Sequence, residues 1–214
     1  KLDLKKIEVV YLNINNKYFS LDKNKKLIKK FNYKSRYILS VMSCVRYHNI
    51  INLLRAYKKL TKDLDFDIKL VLVLQILDKS YVLEIKKFIK SNFIENQILI
   101  FSNLGSDTLP NLYRHAELYV FTSYCEVFGF TSLEAMSQKT PVVISNKSCL
   151  PEINGNAAIY FDPDDINEIV NSLKMTLTDK SLRKKLIEEG IVQLEKYNSK
   201  DNIKKTISII ENVN

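Results

Sequence analysis

The amino-acid sequence predicts an α/β protein with a Rossmann-like, doubly wound parallel sheet. Two patterns support this fold class. From Arg36 onward, short apolar runs rich in β-forming residues alternate with segments whose apolar residues recur at helical spacing. The strand-like runs are also nearly continuous in apolar residues, which is typical of parallel strands that helices cover on both faces.

The predicted elements follow one another regularly along the chain. The expected strands are Ile7–Leu12, Tyr37–Ser43, Asp67–Ile76, Gln97–Phe101, Ala116–Thr122, Pro141–Ser145 and Ala157–Phe161. The expected helices are His48–Lys62, Ser80–Phe93, Thr108–His115, Thr131–Gln138, Asp165–Leu177, Lys180–Tyr197 and Asp201–Glu211, with a short turn at Leu150–Ile153. This order divides the chain into a lead-in (residues 1–36), one Rossmann-like domain (residues 37–200) and a closing helix (residues 201–214).

Composition and cysteine usage narrow the class of protein. Of the 214 residues, 46% are hydrophobic and 27% are charged, which is ordinary for a globular protein. The three cysteines are odd in number and form no C-x-x-C pair, so neither a disulfide framework nor a zinc site is indicated. The N-terminus does not resemble a signal peptide, and the longest apolar run is far shorter than a membrane span. We expect a cytoplasmic protein.

The formal net charge of +9 has several explanations. Basic residues cluster at residues 23–30, 86–90 and 183–185. Phosphorylated ligands, an anionic membrane surface and nucleic acid would all gain from this charge. A composition rich in lysine and asparagine produces the same charge without any partner. No basic face interleaved with aromatic residues is apparent, so we do not expect nucleic-acid binding, whereas peripheral membrane contact remains an alternative.

The stretch from Ser123 to Met136 is the most indicative of function. It follows a predicted strand and places Glu126 and Glu134 on either side of Gly129, in the pattern E-x7-E. Glycine can adopt a positive φ, and a helix start offers unpaired N–H groups and the positive end of a dipole. An ionised glutamate only accepts hydrogen bonds, which suits the vicinal hydroxyls of a sugar or ribose. This stretch therefore predicts a site for an anionic or polyhydroxylated ligand.

A structural role for Glu134 is a direct alternative. The sequence Thr131-Ser-Leu-Glu134 fits a capping box, in which the glutamate bonds only the backbone of its own helix. Spacing alone does not decide between the capping box and a ligand contact.

The predicted fold class indicates where in the molecule the site should lie. In doubly wound sheets, ligands bind beyond the carboxyl ends of the strands, where the strand order reverses. Both the turn after Thr122 and the loop Ser43–His48 follow the carboxyl end of a predicted strand. If the two loops share one crevice, Arg46 and His48 can reach the phosphates of a ligand that the glutamates hold.

The sequence from Asp107 to Pro163 resembles the donor-binding, C-terminal half of retaining GT-B glycosyltransferases of the family-4 type. The resemblance extends more weakly over about 180 residues, the size of one doubly wound domain. The matching stretches are Tyr37–Val41, His48–Ile50, Leu109–Ala116, Tyr119–Ser123, Glu126–Met136, Thr140–Val143, Leu150–Glu152 and Asp162–Pro163.

This resemblance implies a role for each matching residue. Glu126 would be the catalytic residue and would contact the hydroxyls of the donor sugar. The backbone amides of Phe128, Gly129 and Phe130 would meet the sugar and the phosphates, and Glu134 would bind the ribose diol. The donor would be a nucleotide sugar such as a UDP- or GDP-hexose, with neither a metal nor another cofactor. The acceptor would be a saccharide or a lipid-linked molecule, held by an N-terminal domain that precedes the lead-in.

The sequence departs from the family at positions that hold the diphosphate. Met42-Ser43 and His48 stand where the family usually has Gly followed by Arg or Ser, and a Lys. Arg46 is expected to compensate by bidentate contact with phosphate. Val127 and Lys139 also replace common glycines. The resulting functional alternative is a non-catalytic module that binds a nucleotide sugar and needs a partner domain.

One stretch of the sequence contains a possible metal-binding motif. The run Asp63-Leu-Asp-Phe-Asp67 contains D-x-D, but it lies between a predicted helix and a predicted strand, where aspartates ordinarily cap and turn. We therefore expect no metal site. Asp165 is likewise expected to begin a helix, and His115 to end one.

Overall fold

The computed structural model describes residues 7–14, 31–32, 35–105, 107–197 and 200–211. Its sheet has six parallel strands in the order β3-β2-β1-β4-β5-β6, which confirms the predicted Rossmann-like, doubly wound α/β fold. The strands are β1 (Tyr37–Cys44), β2 (Lys69–Ile76), β3 (Ile98–Ser102), β4 (Leu118–Phe121), β5 (Val142–Ser145) and β6 (Ala158–Phe161).

Helices connect the strands and complete the layers. They are α1 (Ile50–Leu60), α2 (Lys79–Ser91), α3 (Leu109–His115), α4 (Phe130–Ser137), α5 (Leu150–Asn154), α6 (Ile166–Thr178), α7 (Lys180–Glu195) and α8 (Lys200–Glu211). Short 3-10 turns occupy Arg46–His48, Glu95–Gln97 and Gly155–Ala157. None of the described helices is both long enough and apolar enough to cross a bilayer.

The strand order reverses between β1 and β4, and the two strands separate early. β1 pairs with β2 along its whole length from Tyr37 to Cys44, but it pairs with β4 only at Ile38 and Leu39. Beyond that short ladder, the Ser40 hydroxyl donates to the Val120 carbonyl at 2.7 Å. A crevice therefore opens between the carboxyl ends of β1 and β4.

The core lies on both faces of the central strands, as the continuous apolar runs predicted. Every residue of β4 and β5 is buried, whereas the edge strand β3 alternates between buried and more accessible positions. Buried tyrosines keep their hydroxyls bonded: Tyr37 donates to the Leu112 carbonyl and Tyr57 to the Ile68 carbonyl, each at 2.7 Å. These bonds fix helices and loops against the sheet.

The predicted strand Ile7–Leu12 was wrong, since residues 7–14 join no sheet. Instead, Ile14 N–H donates to the Tyr197 carbonyl at 2.8 Å, and the Tyr11 ring packs edge-on against Tyr197 with ring centroids 5.4 Å apart. The segment lies against the end of α7 and against α8, where Lys205 pairs with Glu8. Aromatic packing and these polar contacts take the place of strand pairing. Much of the rest of the predicted lead-in, including the basic cluster at 23–30, lies outside the described residues.

Helix boundaries differ from the predictions by a few residues, for local reasons. The helix expected at His48 begins at Ile50, because Arg46–His48 forms a 3-10 turn and Asn49 takes a left-handed φ of 56°. As predicted, Asp165 caps α6 by accepting from the Asn167 and Glu168 amides. His115 ends α3, also as predicted.

Lys139, which replaces a common glycine, adopts a left-handed φ of 61° in the turn after α4. Its side chain is exposed. A residue with a Cβ pays about 1–2 kcal/mol for this conformation, so the turn is formed at some cost to stability.

Candidate functional site

The loops that follow β1 and β4 meet directly at the switch in strand order. Tyr124 N–H donates to the Tyr47 carbonyl at 2.8 Å, and the Thr122 hydroxyl donates to the His48 carbonyl, also at 2.8 Å. Thr122 is fully buried. The two loops thus share one crevice, as the sequence analysis required for a common site.

Glu126 and His48 face each other across this crevice. Glu126 Oε1 lies 3.0 Å from His48 Nε2, and the two side chains are only 19% and 7% exposed. The other ring nitrogen, Nδ1, lies 2.6 Å from the Ser43 carbonyl oxygen. Both ring nitrogens therefore lie close to oxygen acceptors, one on the Glu126 carboxylate and one on the Ser43 carbonyl.

The Glu126 carboxylate is not fully satisfied by this contact. Oε1 is buried and accepts no well-aligned hydrogen bond from the described residues, although His48 Nε2 is close to it. The pair is thus a close contact without hydrogen-bond alignment. A buried carboxylate oxygen without a donor is costly, and a ligand hydroxyl would satisfy it.

The backbone of Glu126 is held by the loop after β5. Its N–H donates to the Ser148 hydroxyl oxygen at 3.3 Å, and its carbonyl accepts from the same hydroxyl at 2.8 Å. The Cys149 thiol donates to that carbonyl as well, with a sulfur–oxygen distance of 3.2 Å. Neither Ser148 nor Cys149 was predicted to be a site residue from the sequence. Their only signal was their position directly before the quoted stretch Leu150–Glu152.

Gly129 is the N-cap of α4, with a left-handed φ of 83°. A Cβ built on it would lie 2.8 Å from Leu150 Cδ2, so any other residue would strain the backbone and displace the Leu150 side chain. The described residues accept no hydrogen bond from the amides of Phe128, Gly129 or Phe130. The Phe128 ring is buried edge-on against Tyr197, with centroids 5.6 Å apart, and it packs against Phe130. The three amides of the turn thus donate to none of the described residues, and its two phenylalanine rings pack against each other.

The capping box, the alternative role for Glu134, does not form with Thr131, because Gly129 is the N-cap of α4. The helix begins one residue earlier, at Phe130, so Thr131 lies inside it and accepts a hydrogen bond from the Tyr119 hydroxyl at 2.7 Å. The Glu134 carboxylate accepts from the Tyr113 hydroxyl at 3.0 Å. Tyr113, which lies on α3, was not predicted to be a site residue from the sequence.

The charges of both glutamates affect the pKa of one buried phenol, that of Tyr119. Burial raises the pKa of Tyr119 well above its ordinary value; the bond to Thr131 lowers it, and the charges of Glu126 and Glu134 raise it further. The two carboxylates therefore lie within electrostatic range of the same hydroxyl, that of Tyr119.

Arg46 points away from Glu126. Its guanidinium donates to Glu84 on α2 at 2.8 Å and lies over the Tyr81 ring, 5.1 Å from the centroid. The phosphate contact expected of Arg46 stays a prediction, and it would compete with this ion pair.

A cleft of about 440 Å³ adjoins the site at the carboxyl ends of β1, β2 and β3. Its polar lining includes Ser43, whose carbonyl faces His48, together with Gln75 and Asn103. Thr131, in the first turn of α4, closes it on the side of the glutamates. The cleft volume suits a small ligand.

Metal-binding side chains do not cluster in the part of the chain that the structure describes. No group of three or more His, Cys, Asp or Glu residues is placed there to hold an ion. Asp63, Asp65 and Asp67 lie in the connection from α1 to β2, at the end of the sheet opposite Glu126.

Comparison with known proteins assigns the family. The family model described as "Glycosyl transferases group 1" matches residues 22–193, which is most of the chain. The chain belongs to this family of glycosyltransferases. The predicted resemblance to the C-terminal, donor-binding type of GT-B domain is thereby confirmed.

Curated relatives of this glycosyltransferase chain include two O-antigen mannosyltransferases. The O-antigen chain mannosyltransferase B of Escherichia coli is 34% identical over 114 residues, covering 53% of this chain and 30% of the relative. The O-antigen chain mannosyltransferase RfbU of Salmonella typhimurium is 26% identical over 173 residues, covering 81% and 45%. The chain spans less than half of the length of either relative.

Solved glycosyltransferase structures share the fold. A glycosyltransferase from Rickettsia africae superimposes with a TM-score of 0.81 at 22% identity, covering 97% of this chain and 57% of that one. Anabaena Alr3699/HepE, solved with UDP and glucose, gives a TM-score of 0.83 at 17% identity, with coverage of 96% and 57%. These similarities establish the GT-B type of Rossmann-like fold.

The Gly129 cap yields a stability prediction. Gly129→Ala should reduce the free energy of unfolding by about 2–4 kcal/mol, because alanine disfavours the left-handed conformation and its Cβ displaces the buried Leu150. Denaturant unfolding of both forms measures the change. Gly105→Ala is the matched control, since a Cβ there meets no atom within 4 Å and should change stability by less than about 0.5 kcal/mol. An equally small loss for Gly129→Ala would contradict the assigned cap.

Proposed function

We propose that this chain is the donor-binding half of a hexosyltransferase that uses a nucleotide-activated hexose. Glu126 would accept hydrogen bonds from the hexose, Glu134 would hold the ribose diol, and the transfer would proceed with retention and without a metal. The acceptor would be a saccharide or a lipid-linked molecule, presented by an N-terminal domain. The reaction would take place in the cytoplasm, including at the membrane surface.

One observation carries the proposal: the buried Glu126 Oε1 accepts no aligned hydrogen bond within the described chain. The carboxylate sits beside His48 at the switch point of a doubly wound sheet, where ligands of such sheets bind. A sugar hydroxyl is a donor of the right size and neutral charge. Its binding would remove the cost of the unsatisfied oxygen, so the site favours a hydroxylated ligand over an apolar one.

The start of α4 supports the placement of the phosphates. The amides of Phe128, Gly129 and Phe130, which donate to none of the described residues, lie at the positive end of the helix dipole, shortly after Glu126. Such a turn attracts phosphate oxygens and stabilises the charge that develops on a departing diphosphate. The left-handed φ of Gly129 turns the chain into α4 and so brings these amides to the start of the helix.

The nucleoside would lie in the 440 Å³ cleft beside Thr131. A carboxylate has about four lone-pair positions, so the bond from Tyr113 does not exhaust the capacity of Glu134 to accept from a diol. The Tyr113 hydroxyl would orient the carboxylate, while Gln75 and Asn103 offer donors and acceptors to a base.

The relatives support a hexose as the transferred group. The curated relatives described above are mannosyltransferases by name, and one solved neighbour was crystallised with UDP and glucose. A UDP- or GDP-hexose is therefore the donor class that we propose. The relatives also extend well beyond the length of this chain, which supports a further acceptor-binding domain.

The glutamate roles are separable by titration calorimetry with UDP, GDP, UDP-glucose and GDP-mannose. Glu134→Ala should weaken the nucleoside diphosphate and the nucleotide sugar alike, by tenfold or more, because it removes the ribose contact. Glu126→Ala should leave the affinity for the nucleoside diphosphate unchanged and abolish the additional affinity that the hexose provides. Glu95→Ala, an exposed glutamate in the 3-10 turn before β3, is the matched control. Binding of all four compounds unchanged in both site variants would overturn the assignment.

A non-catalytic nucleotide-sugar module is the second candidate, and one observation favours it. His48 stands where related enzymes carry a permanent lysine charge, and Arg46 is engaged by Glu84. The phosphates would therefore meet less positive charge than in the related enzymes. Weak donor binding without turnover would follow.

His48→Lys tests this charge deficit. The variant should bind a nucleoside diphosphate about 5- to 10-fold more tightly than the parent, because the lysine ammonium is a permanent point charge. His48→Gln is the uncharged control and should bind no more tightly than the parent. Equal affinity of all three proteins for UDP and GDP would show that this position does not contact the phosphates.

A further inference from the structure

Ser148 makes an unusual pair of contacts with the backbone of Glu126. Its hydroxyl oxygen accepts from the Glu126 N–H at 3.3 Å, and its proton is donated to the Glu126 carbonyl at 2.8 Å. One side chain therefore satisfies both polar backbone groups of the residue that carries the buried carboxylate. Ser148 lies 22 residues further along the chain, in the loop after β5.

The backbone of Ser148 is strained, with a left-handed φ of 57°. Two of the five described non-glycine residues with positive φ are asparagines, a type that tolerates this conformation, but serine does not belong to that group. Such strain persists only where surrounding contacts compensate for it. The contacts that compensate here are those with Glu126.

Cys149 strengthens the same attachment. Its thiol donates to the Glu126 carbonyl, which thus receives two donors from consecutive residues. Burial raises the pKa of Cys149, and the Glu126 charge adds to the effect, so the thiol keeps the proton that it donates. Glu126 is therefore fixed through its backbone by the β5 loop and faces His48 through its side chain.

We infer that Ser148 is a positioning residue for the hexose contact of Glu126. This inference rests on the proposed function. By holding both backbone groups of Glu126, Ser148 sets the direction in which the carboxylate enters the crevice. A carboxylate aimed in advance at one hydroxyl contributes to affinity and orientation, and a mobile one contributes less. The proposed nucleoside and phosphate contacts would be made by other groups, the cleft beside Thr131 and the amides at the start of α4.

Two substitutions separate positioning from stability. Ser148→Gly removes the hydroxyl and relieves the strained φ, whereas Ser148→Ala removes the hydroxyl and keeps the strain. We expect the glycine variant to melt about 2–4 °C above the alanine variant. Both variants should bind UDP-glucose or GDP-mannose about 3- to 10-fold more weakly than the parent, with unchanged affinity for UDP or GDP. Calorimetry and thermal unfolding of the 214-residue chain measure both quantities.

Lys139→Gly is the matched control. It relieves a left-handed φ of 61° at the other end of α4, where the side chain is exposed. This variant should melt about 2–4 °C above the parent and retain full affinity for the nucleotide sugar.

The outcomes are distinct. Loss of the hexose contribution in both Ser148 variants, but not in Lys139→Gly, supports the inference. Unchanged nucleotide-sugar affinity in Ser148→Gly overturns it and leaves the proposed function intact. A parent chain that binds none of the four compounds overturns the proposed function and this inference together.

Discussion

The site depends on the early separation of β1 from β4. The two strands pair at only two positions, and the loops beyond them are then joined by hydrogen bonds between Tyr124 and Tyr47 and between Thr122 and His48. This arrangement opens a crevice and fixes its walls at the same time. Without it, Glu126 would face solvent, where its carboxylate would be hydrated and would have little preference for a sugar hydroxyl.

Around this crevice, each group is held by an element that lies outside its own strand–turn–helix segment. The β5 loop holds the backbone of Glu126, α3 supplies the tyrosine that meets Glu134, and Leu150 packs where Gly129 leaves no room for a Cβ. The site is therefore assembled from four connections of one sheet. Rigid placement of the acceptors and amides before a ligand arrives reduces the entropy lost on binding.

Much of the fold was predictable from the sequence, because continuous apolar runs and helical periodicity are local signals. The site was predictable as far as the E-x7-E stretch and its proximity to the first strand-to-helix loop. Contacts between residues that are distant in sequence were not predictable. Arg46 donates to Glu84, and Tyr113 donates to Glu134. Ile14 N–H donates to the Tyr197 carbonyl and joins no strand. None of these contacts leaves a pattern in the local sequence. The contact of Ser148 with Glu126 was not predictable for the same reason.

The central claim is that the buried Glu126 oxygen accepts a hydroxyl of an activated hexose. A crystal structure of the chain with an intact nucleotide hexose tests it most directly. The account predicts a sugar hydroxyl within hydrogen-bond distance of Glu126 Oε1 and phosphate oxygens on the amides at the start of α4. A hexose bound away from the β1–β4 crevice, or Glu126 Oε1 paired with protein donors alone while the hexose is bound, would contradict it.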